Sequence, residues 1–210
     1  MVHPPFIRLF PLPNVVLFPG MALSLHIFEP RYRQMVADAL EGDRMIGMTL
    51  LQEGWEEEER GCPPIYSIGC LGRIAQEQRL DDGRFNILLE GVCTFEIREE
   101  IGGRPYREAW VRYRNAMRPS PLPPDLLTEL ERATTFHAQK LRIGENLLAS
   151  LRDTTEEERV QALCFLPPFT VLEKQFLLES ADLSQQCKRL LDLIHLYTLT
   201  LIQTEEEGHA

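Results

Sequence analysis

Five histidines, five cysteines and three lysines have the widest chemical reach in this chain, and their spacing limits what they can do. His3, His26, His137, His195 and His209 stand far apart, with no His-x-x-x-His or His-x-x-Glu-His spacing to hold a metal. Cys62, Cys70, Cys93, Cys164 and Cys187 form no Cys-x-x-Cys pair, which disfavours zinc ribbons and thioredoxin-type redox sites. Buried free thiols in a reducing compartment are expected instead. Cys164 or Cys187 as a nucleophile would need a partnered base, which no local pattern announces. Lys140, Lys174 and Lys188 never follow a glycine, and no two glycines stand two apart, so the phosphate loop and the dinucleotide fingerprint are both missing. The Gly-x-Ser-x-Gly elbow is missing too. His26 is expected to be structural or solvent-facing, and His137 and His195 to be satisfied interior histidines on helices. These negatives cover compact motifs, not a site assembled from distant residues. No catalytic residue, metal or cofactor is assigned. A binding constellation remains: Phe28, Arg31, Tyr32 and Arg33 could offer a cationic, aromatic patch to a peptide. The bland alternative puts Tyr32 in the core and the two arginines on the outer side of a helix.

Those four residues end the stretch Pro11 to Tyr32, around which the elements are organised. Pro11-Leu-Pro cannot be helical. Val15 to Phe18 and Leu23 to Phe28 flank a Pro19-Gly20 turn, and Leu23, Leu25 and Ile27 alternate on one strand face. Pro30 suits the first position of a helix, whose stripe is Tyr32, Met35, Val36, Ala39 and Leu40 and whose end is Gly42. A short strand over Phe6 to Phe10 precedes this stretch, and a buried strand over Met45 to Leu51 follows it. Gly54 to Pro64, with four consecutive glutamates, is a solvated loop, and Trp55 is expected to pack down on the domain. From Tyr66 to Tyr113 the pattern is β throughout, with turns at Asp82-Gly83 and Gly102-Gly103. Gly69, Gly72 and Gly91 suit bends or bulges. The expected fold class is α+β: an N-terminal antiparallel β pseudo-barrel over residues 1–118 with one inserted helix, then a C-terminal α-helical bundle.

Pro119 to Pro124 is read as a semi-rigid linker at 119–124, and the bundle as residues 125–210. A long helix from Asp125 is expected to reach Leu151, with Gly144 as its weak point. Thr155-x-x-Glu158 and Thr170-x-x-Glu173 have the form of capping boxes, and Pro167-Pro168 stops the helix between them. Leu183, Cys187, Leu190, Leu191, Ile194, Thr198 and Leu201 line the last helix, and the tail from Glu205 is expected to fray.

A net charge of -10 over 210 residues argues against nucleic acid and against an anionic membrane surface. Neither a signal peptide nor an apolar run of the ~20 residues needed for a membrane span is present. A cytoplasmic protein is expected.

The motifs Pro-Leu-Pro-Asn-Val-Val-Leu-Phe-Pro-Gly at 11–20 and Leu-His-Ile-Phe-Glu-Pro-Arg-Tyr at 25–32 resemble the signature of the Lon protease amino-terminal, or substrate-binding, domain. Ile68-Gly-Cys-Leu-Gly-Arg-Ile and Asp82-Gly-Arg-Phe-Asn-Ile-Leu-Leu-Glu-Gly-Val follow in that family's order and spacing, and Leu166 to Leu193 resembles its helical bundle. The resemblance implies a PUA-like barrel and a stand-alone member lacking the ATPase and peptidase modules. It brings no catalytic residue. Its implied partners are unfolded or tagged polypeptides, or a protein partner, with homo-oligomer formation left open. The alternative is an enzyme or small-molecule binder with a pocket between barrel and bundle. RNA binding, known from PUA-like barrels elsewhere, ranks last because the chain is acidic.

Overall fold

The computed structural model describes residues 4–54, 63–114 and 122–207, with side chains as far as Tyr197. The acidic loop with Trp55, Cys62, most of the proline-rich linker, His3 and His209 lie outside these residues, as do the side chains of Thr198 and Leu201. The chain divides into two compact units, Met1–Ala116 and Met117–Ala210.

Among the described residues the first unit holds six strands and a helix: β1 Phe6–Leu12, β2 Ala22–Ile27, α1 Pro30–Leu40, β3 Met45–Leu50, β4 Ile68–Arg79, β5 Phe85–Ile101 and β6 Arg107–Tyr113. The strand order is β2-β5-β4-β3-β1-β6, and β6 also pairs with β5. The pairings β5–β4–β3–β1–β6–β5 therefore close on themselves, leaving β2 outside the ring. Closure depends on the length of β5, which pairs with β2 from Phe85 to Glu90 and with β6 from Phe95 to Ile101. Inside the ring Ile7, Leu9, Leu71, Cys93, Phe95, Ala109 and Val111 form one buried cluster. One expectation is corrected here: the sheet is mixed. β1 and β3 run parallel, Leu9 opposite Gly47, while every other strand pairing is antiparallel. The connection allows this, because β2 and α1 together supply the long crossover that a parallel pair requires.

Helix α1 starts at Pro30 and buries Tyr32, Met35, Val36 and Ala39, packing against β1 and β3. The Tyr32 ring sits 4.5 Å from that of Phe10. Gly91 lies where the segment before β2 crosses β5. Gly20 donates its N–H to the Gly91 carbonyl (2.9 Å) and Gly91 donates to Met21 (2.8 Å). A Cβ on Gly91 would stand 2.0 Å from the Phe18 carbonyl oxygen. Gly91 thus serves close backbone approach and also borders a bulge, because it pairs with Gly72 while Cys93 pairs with Leu71, leaving Val92 as the extra residue. A register shift does fall at Leu71/Gly72, as expected of a bulge.

The second unit is helical: α2 Pro124–Phe136, α3 Glu145–Arg152, α4 Glu156–Phe165, α5 Val171–Leu178 and α6 Leu183–Glu207. The single helix expected from Asp125 to Leu151 is two. The chain leaves the helix at His137 and turns through Arg142 at φ 54°. Leu141 and Ile143 are buried inside this turn, so tertiary packing overrides the helical periodicity. Both capping boxes are present, Thr155 with Glu158 and Thr170 with Glu173, each satisfying two backbone donors. α2, α4 and α5 pack on α6, whose Cys187, Leu190, Leu191 and Ile194 are buried. The amides of Gln161 and Gln186 bond to each other in the interior at 2.9 Å, which removes the cost of burying them unpaired. The backbone of α6 stays helical through Glu207, beyond the start of the expected fraying. Among the described residues no helix is long and apolar enough to cross a membrane.

Candidate functional site

The face formed by β2, β5 and β4 carries an open groove of about 440 Å³, with Ser24 and His26 from β2, Asn86 and Leu88 from β5, and Gln76 and Gln78 from β4 in its lining. Register explains the convergence. His26 lies opposite Asn86, and Asn86 opposite Gln78, so three polar side chains form a row across three strands. His26 Nδ1 and Asn86 Oδ1 are 2.7 Å apart, and Asn86 Nδ2 donates to Gln78 Oε1 at 3.2 Å. Arg84 Nη1 stands 3.2 Å from His26 Nε2. A guanidinium only donates, so Nε2 accepts, and Nδ1 carries the proton and donates to Asn86. Asp82 holds Arg84 in turn at 2.6 Å. Every member of the row is exposed, so it offers donors and acceptors to whatever enters the groove.

Phe28 stands at one end of this row, with its ring 6.3 Å from that of His26 and 60% of its surface exposed. The other three residues expected at the site have different settings. Arg31 is exposed, donates to Glu29 at 2.9 Å and lies 4.5 Å over the Tyr32 ring. Tyr32 is only 5% exposed, and burial is the main cause of its raised hydroxyl pKa. Arg33 donates to the Gly83 carbonyl at 2.7 Å, tying α1 to the β4–β5 turn. That turn favours glycine because Gly83 has φ +80°, and a Cβ there would also push aside the Arg33 guanidinium, which lies 2.1 Å from its position.

The partners of His26 are an amide and a guanidinium, not a carboxylate and a nucleophile. Cys70, Cys93, Cys164 and Cys187 are free and buried. Desolvation pushes Cys70 and Cys164 well up, Cys93 up to about 11 and Cys187 up to about 12, so their thiolates are scarce near neutral pH. His137 caps α2 half-buried beside Phe136, and His195 is exposed on α6. Neither is the interior helical histidine expected. Among the described residues no three of His, Cys, Asp and Glu are grouped to hold a metal ion. Sequence reasoning missed Asn86, Gln78 and Arg84. Counting back from the Asp82-Gly83 turn would have paired Gln78 with Asn86, but nothing local announces that β2 joins them.

The Lon protease of Flavobacterium johnsoniae is 26% identical over 190 residues, which cover 87% of this chain and 23% of that protease. The Lon protease of Cytophaga hutchinsonii is 31% identical over 108 residues, 51% of this chain and 13% of the protease. The chain thus spans less than a quarter of either relative. Two solved structures share the fold. The Lon N-terminal domain protein from Xanthomonas campestris superposes with a TM-score of 0.66 at 24% identity, covering 89% of this chain and 97% of that one. The N-terminal domain of the Mycobacterium avium complex Lon protease gives 0.70 at 15%, covering 90% and 98%. The family model described as the ATP-dependent protease La (LON) substrate-binding domain matches residues 7–195, and the chain belongs to that family.

Proposed function

We propose that this chain is a non-enzymatic, cytoplasmic polypeptide-binding module. In this reading residues 1–118 do the binding, residues 119–124 are the linker, its last residue Pro124 opening α2, and residues 125–210 form a separate helical domain. Unfolded or tagged polypeptides are the substrates. Phe28 is the apolar anchor, Arg31 flanks it, and Tyr32 and Arg33 hold the helix start and the β4–β5 turn in place beside it. The observation that carries the reading is the exposed Phe28 ring next to a polar groove, in a chain whose family is a substrate-binding domain. An isolated apolar anchor beside exchangeable hydrogen-bonding groups suits many peptide sequences. The raised cysteine pKa values and the absence of a histidine–carboxylate pair at the groove support a non-enzymatic role.

The test is fluorescence anisotropy with a labelled, reduced and carboxymethylated polypeptide. Burying a phenylalanine contributes about 1.5–3 kcal/mol, and a ring already 40% covered gives somewhat less. Phe28→Ala is expected to weaken binding roughly five- to thirtyfold. Phe136→Ala, which removes an 82% exposed ring from the second unit, should leave binding unchanged. Equal affinity of wild type and Phe28→Ala, or no binding by wild type, contradicts the proposal.

A further inference from the structure

Strand β2 ends the sheet, bonded to β5 on one side and, among the described residues, to no strand on the other. Its register shows which backbone groups are already used. Directly opposed residues of an antiparallel pair alternate between exchanging both hydrogen bonds and exchanging none. Gly91 donates to the Met21 carbonyl, so the bonded pairs further along are Leu23–Leu89, Leu25–Ile87 and Ile27–Phe85. Counting from the other end agrees. Leu80 donates to Arg84 across the β4–β5 turn, which directs the even-numbered residues of β5 toward β4. The N–H and C=O groups of Ala22, Ser24 and His26 therefore point away from β5. No backbone partner reaches them among the described residues, and all three residues are exposed.

Other open edges of this sheet are defended. Beyond β3 the free side of β4 carries Glu77 and Arg79 behind a register shift at Ile74/Gln76. The last part of β5 carries Arg98, Glu99 and Glu100 beside a shift at Ile97/Glu99. Charges and bulges of this kind discourage strand addition. β2 reads Ala-Leu-Ser-Leu-His-Ile, with no carboxylate, lysine, arginine, proline or glycine and no shift against β5. Its outward donors and acceptors repeat every two residues, about 6.8 Å along the strand. The ligand chemistry that matches this spacing is another extended backbone.

We infer that the outer edge of β2 takes up an extended segment of a client polypeptide as an added strand, hydrogen-bonded to Ala22, Ser24 and His26 and ending beside Phe28. This inference rests on the polypeptide-binding reading and specifies its mode. Recognition runs through the client's main chain. It therefore tolerates many client sequences and rejects folded proteins, whose strands and helices have already paired those groups. The groove across β2, β5 and β4 then receives the client side chains that point to that face.

The experiment uses the full chain, isotope-labelled for amide exchange, and the capped heptapeptide Ser-Val-Thr-Phe-Val-Thr-Ser. In the free protein the amides of Ala22, Ser24 and His26 should exchange fast while those of Leu23, Leu25 and Ile27 exchange slowly. Peptide should slow the first three by about tenfold or more. Ser24→Pro removes an outward donor and no bond to β5, and should weaken the peptide about tenfold. Because that variant can lose its fold, two modified peptides leave the protein untouched. N-methylation at the third and fifth residues blocks one peptide edge and should preserve binding; methylation at the second to fifth residues blocks both edges and should abolish it. Binding without slowed exchange at the three amides, or equal behaviour of the two methylated peptides, overturns the β2 edge and leaves the binding reading standing. No binding of the unmodified peptide overturns both. Concentration-dependent protection of the same amides without peptide would make a second copy of the chain the occupant and would also overturn the inference.

Discussion

Gly91→Ala tests how the segment before β2 is fixed to the sheet that carries the site. The added Cβ would stand 2.0 Å from the Phe18 oxygen, 2.8 Å from the Phe18 carbonyl carbon and 3.3 Å from the Pro19 Cα. All three are backbone atoms, so no rotamer change relieves the clash. The crossing segment must move, which strains the bonds from Gly20 to Gly91 and from Gly91 to Met21. Overpacking costs about 1–3 kcal/mol and each weakened hydrogen bond about 0.5–1.5, so a loss of about 3 kcal/mol is expected. Trp110 lies on β6 in the first unit, so tryptophan fluorescence during urea unfolding, read in a Trp55→Phe background, reports that unit. At a slope of about 1–3 kcal/mol per molar urea the midpoint should drop by about 1–3 M. Gly102→Ala is the matched control, since nothing lies within 4 Å of its added Cβ, and it should shift stability by less than about 1 kcal/mol. A Gly91→Ala midpoint equal to that of Gly102→Ala would refute the close approach.

Further outcomes concern caps, thiols and tyrosines. Thr155→Ala and Thr170→Ala should each destabilise the helical unit by about 1 kcal/mol, read by circular dichroism in urea. Hydrogen bonds from the Thr155 backbone and side chain hold the Glu158 carboxyl below its ordinary 4.5. Its contribution is therefore present above that pH and fades as pH falls through the lowered value, so Glu158→Gln should flatten the acid dependence of the unfolding midpoint. Cys70, Cys93, Cys164 and Cys187, buried with raised pKa values, should resist Ellman's reagent until urea is added, as peptide mapping would show. Tyr106, which donates to Asp38 at 2.6 Å, is pushed up to about 12, with burial the first cause. Its folded value exceeds its unfolded one, so its contribution is full below pH 10 and is lost as pH rises through 12. Tyr106→Phe should remove one late-titrating phenol from the absorbance at 295 nm.

Local signals in this sequence were strong wherever the structure itself is local. Proline at the first position of α1, two capping boxes and the Asp82-Gly83 turn act within a few residues, and each is found where the sequence puts it. What stayed hidden depends on distant partners. Nothing near Leu9 says that it will lie parallel to Gly47. Nothing near Leu141 says that burial will hold it in a turn rather than on a helix. The site divides in the same way. Phe28 could be singled out as an aromatic residue at a strand-to-helix junction, and its exposure agrees with a surface role. Arg33 carried a visible charge, but its acceptor is the carbonyl of Gly83, fifty residues away. The row from His26 through Asn86 to Gln78 exists only because β2 pairs with β5, and a single sequence does not encode that pairing in any short pattern.

The most direct measurement is photo-crosslinking of a carboxymethylated polypeptide bearing a benzophenone side chain, with the products mapped by mass spectrometry. A polypeptide held by the β2–β5–β4 face should label Ser24 to Phe28, Gln76 to Gln78 and Arg84 to Leu88, with labelling at Phe28's neighbours lost in Phe28→Ala. Labels gathered on the helical unit, or no saturable labelling at all, would contradict the account.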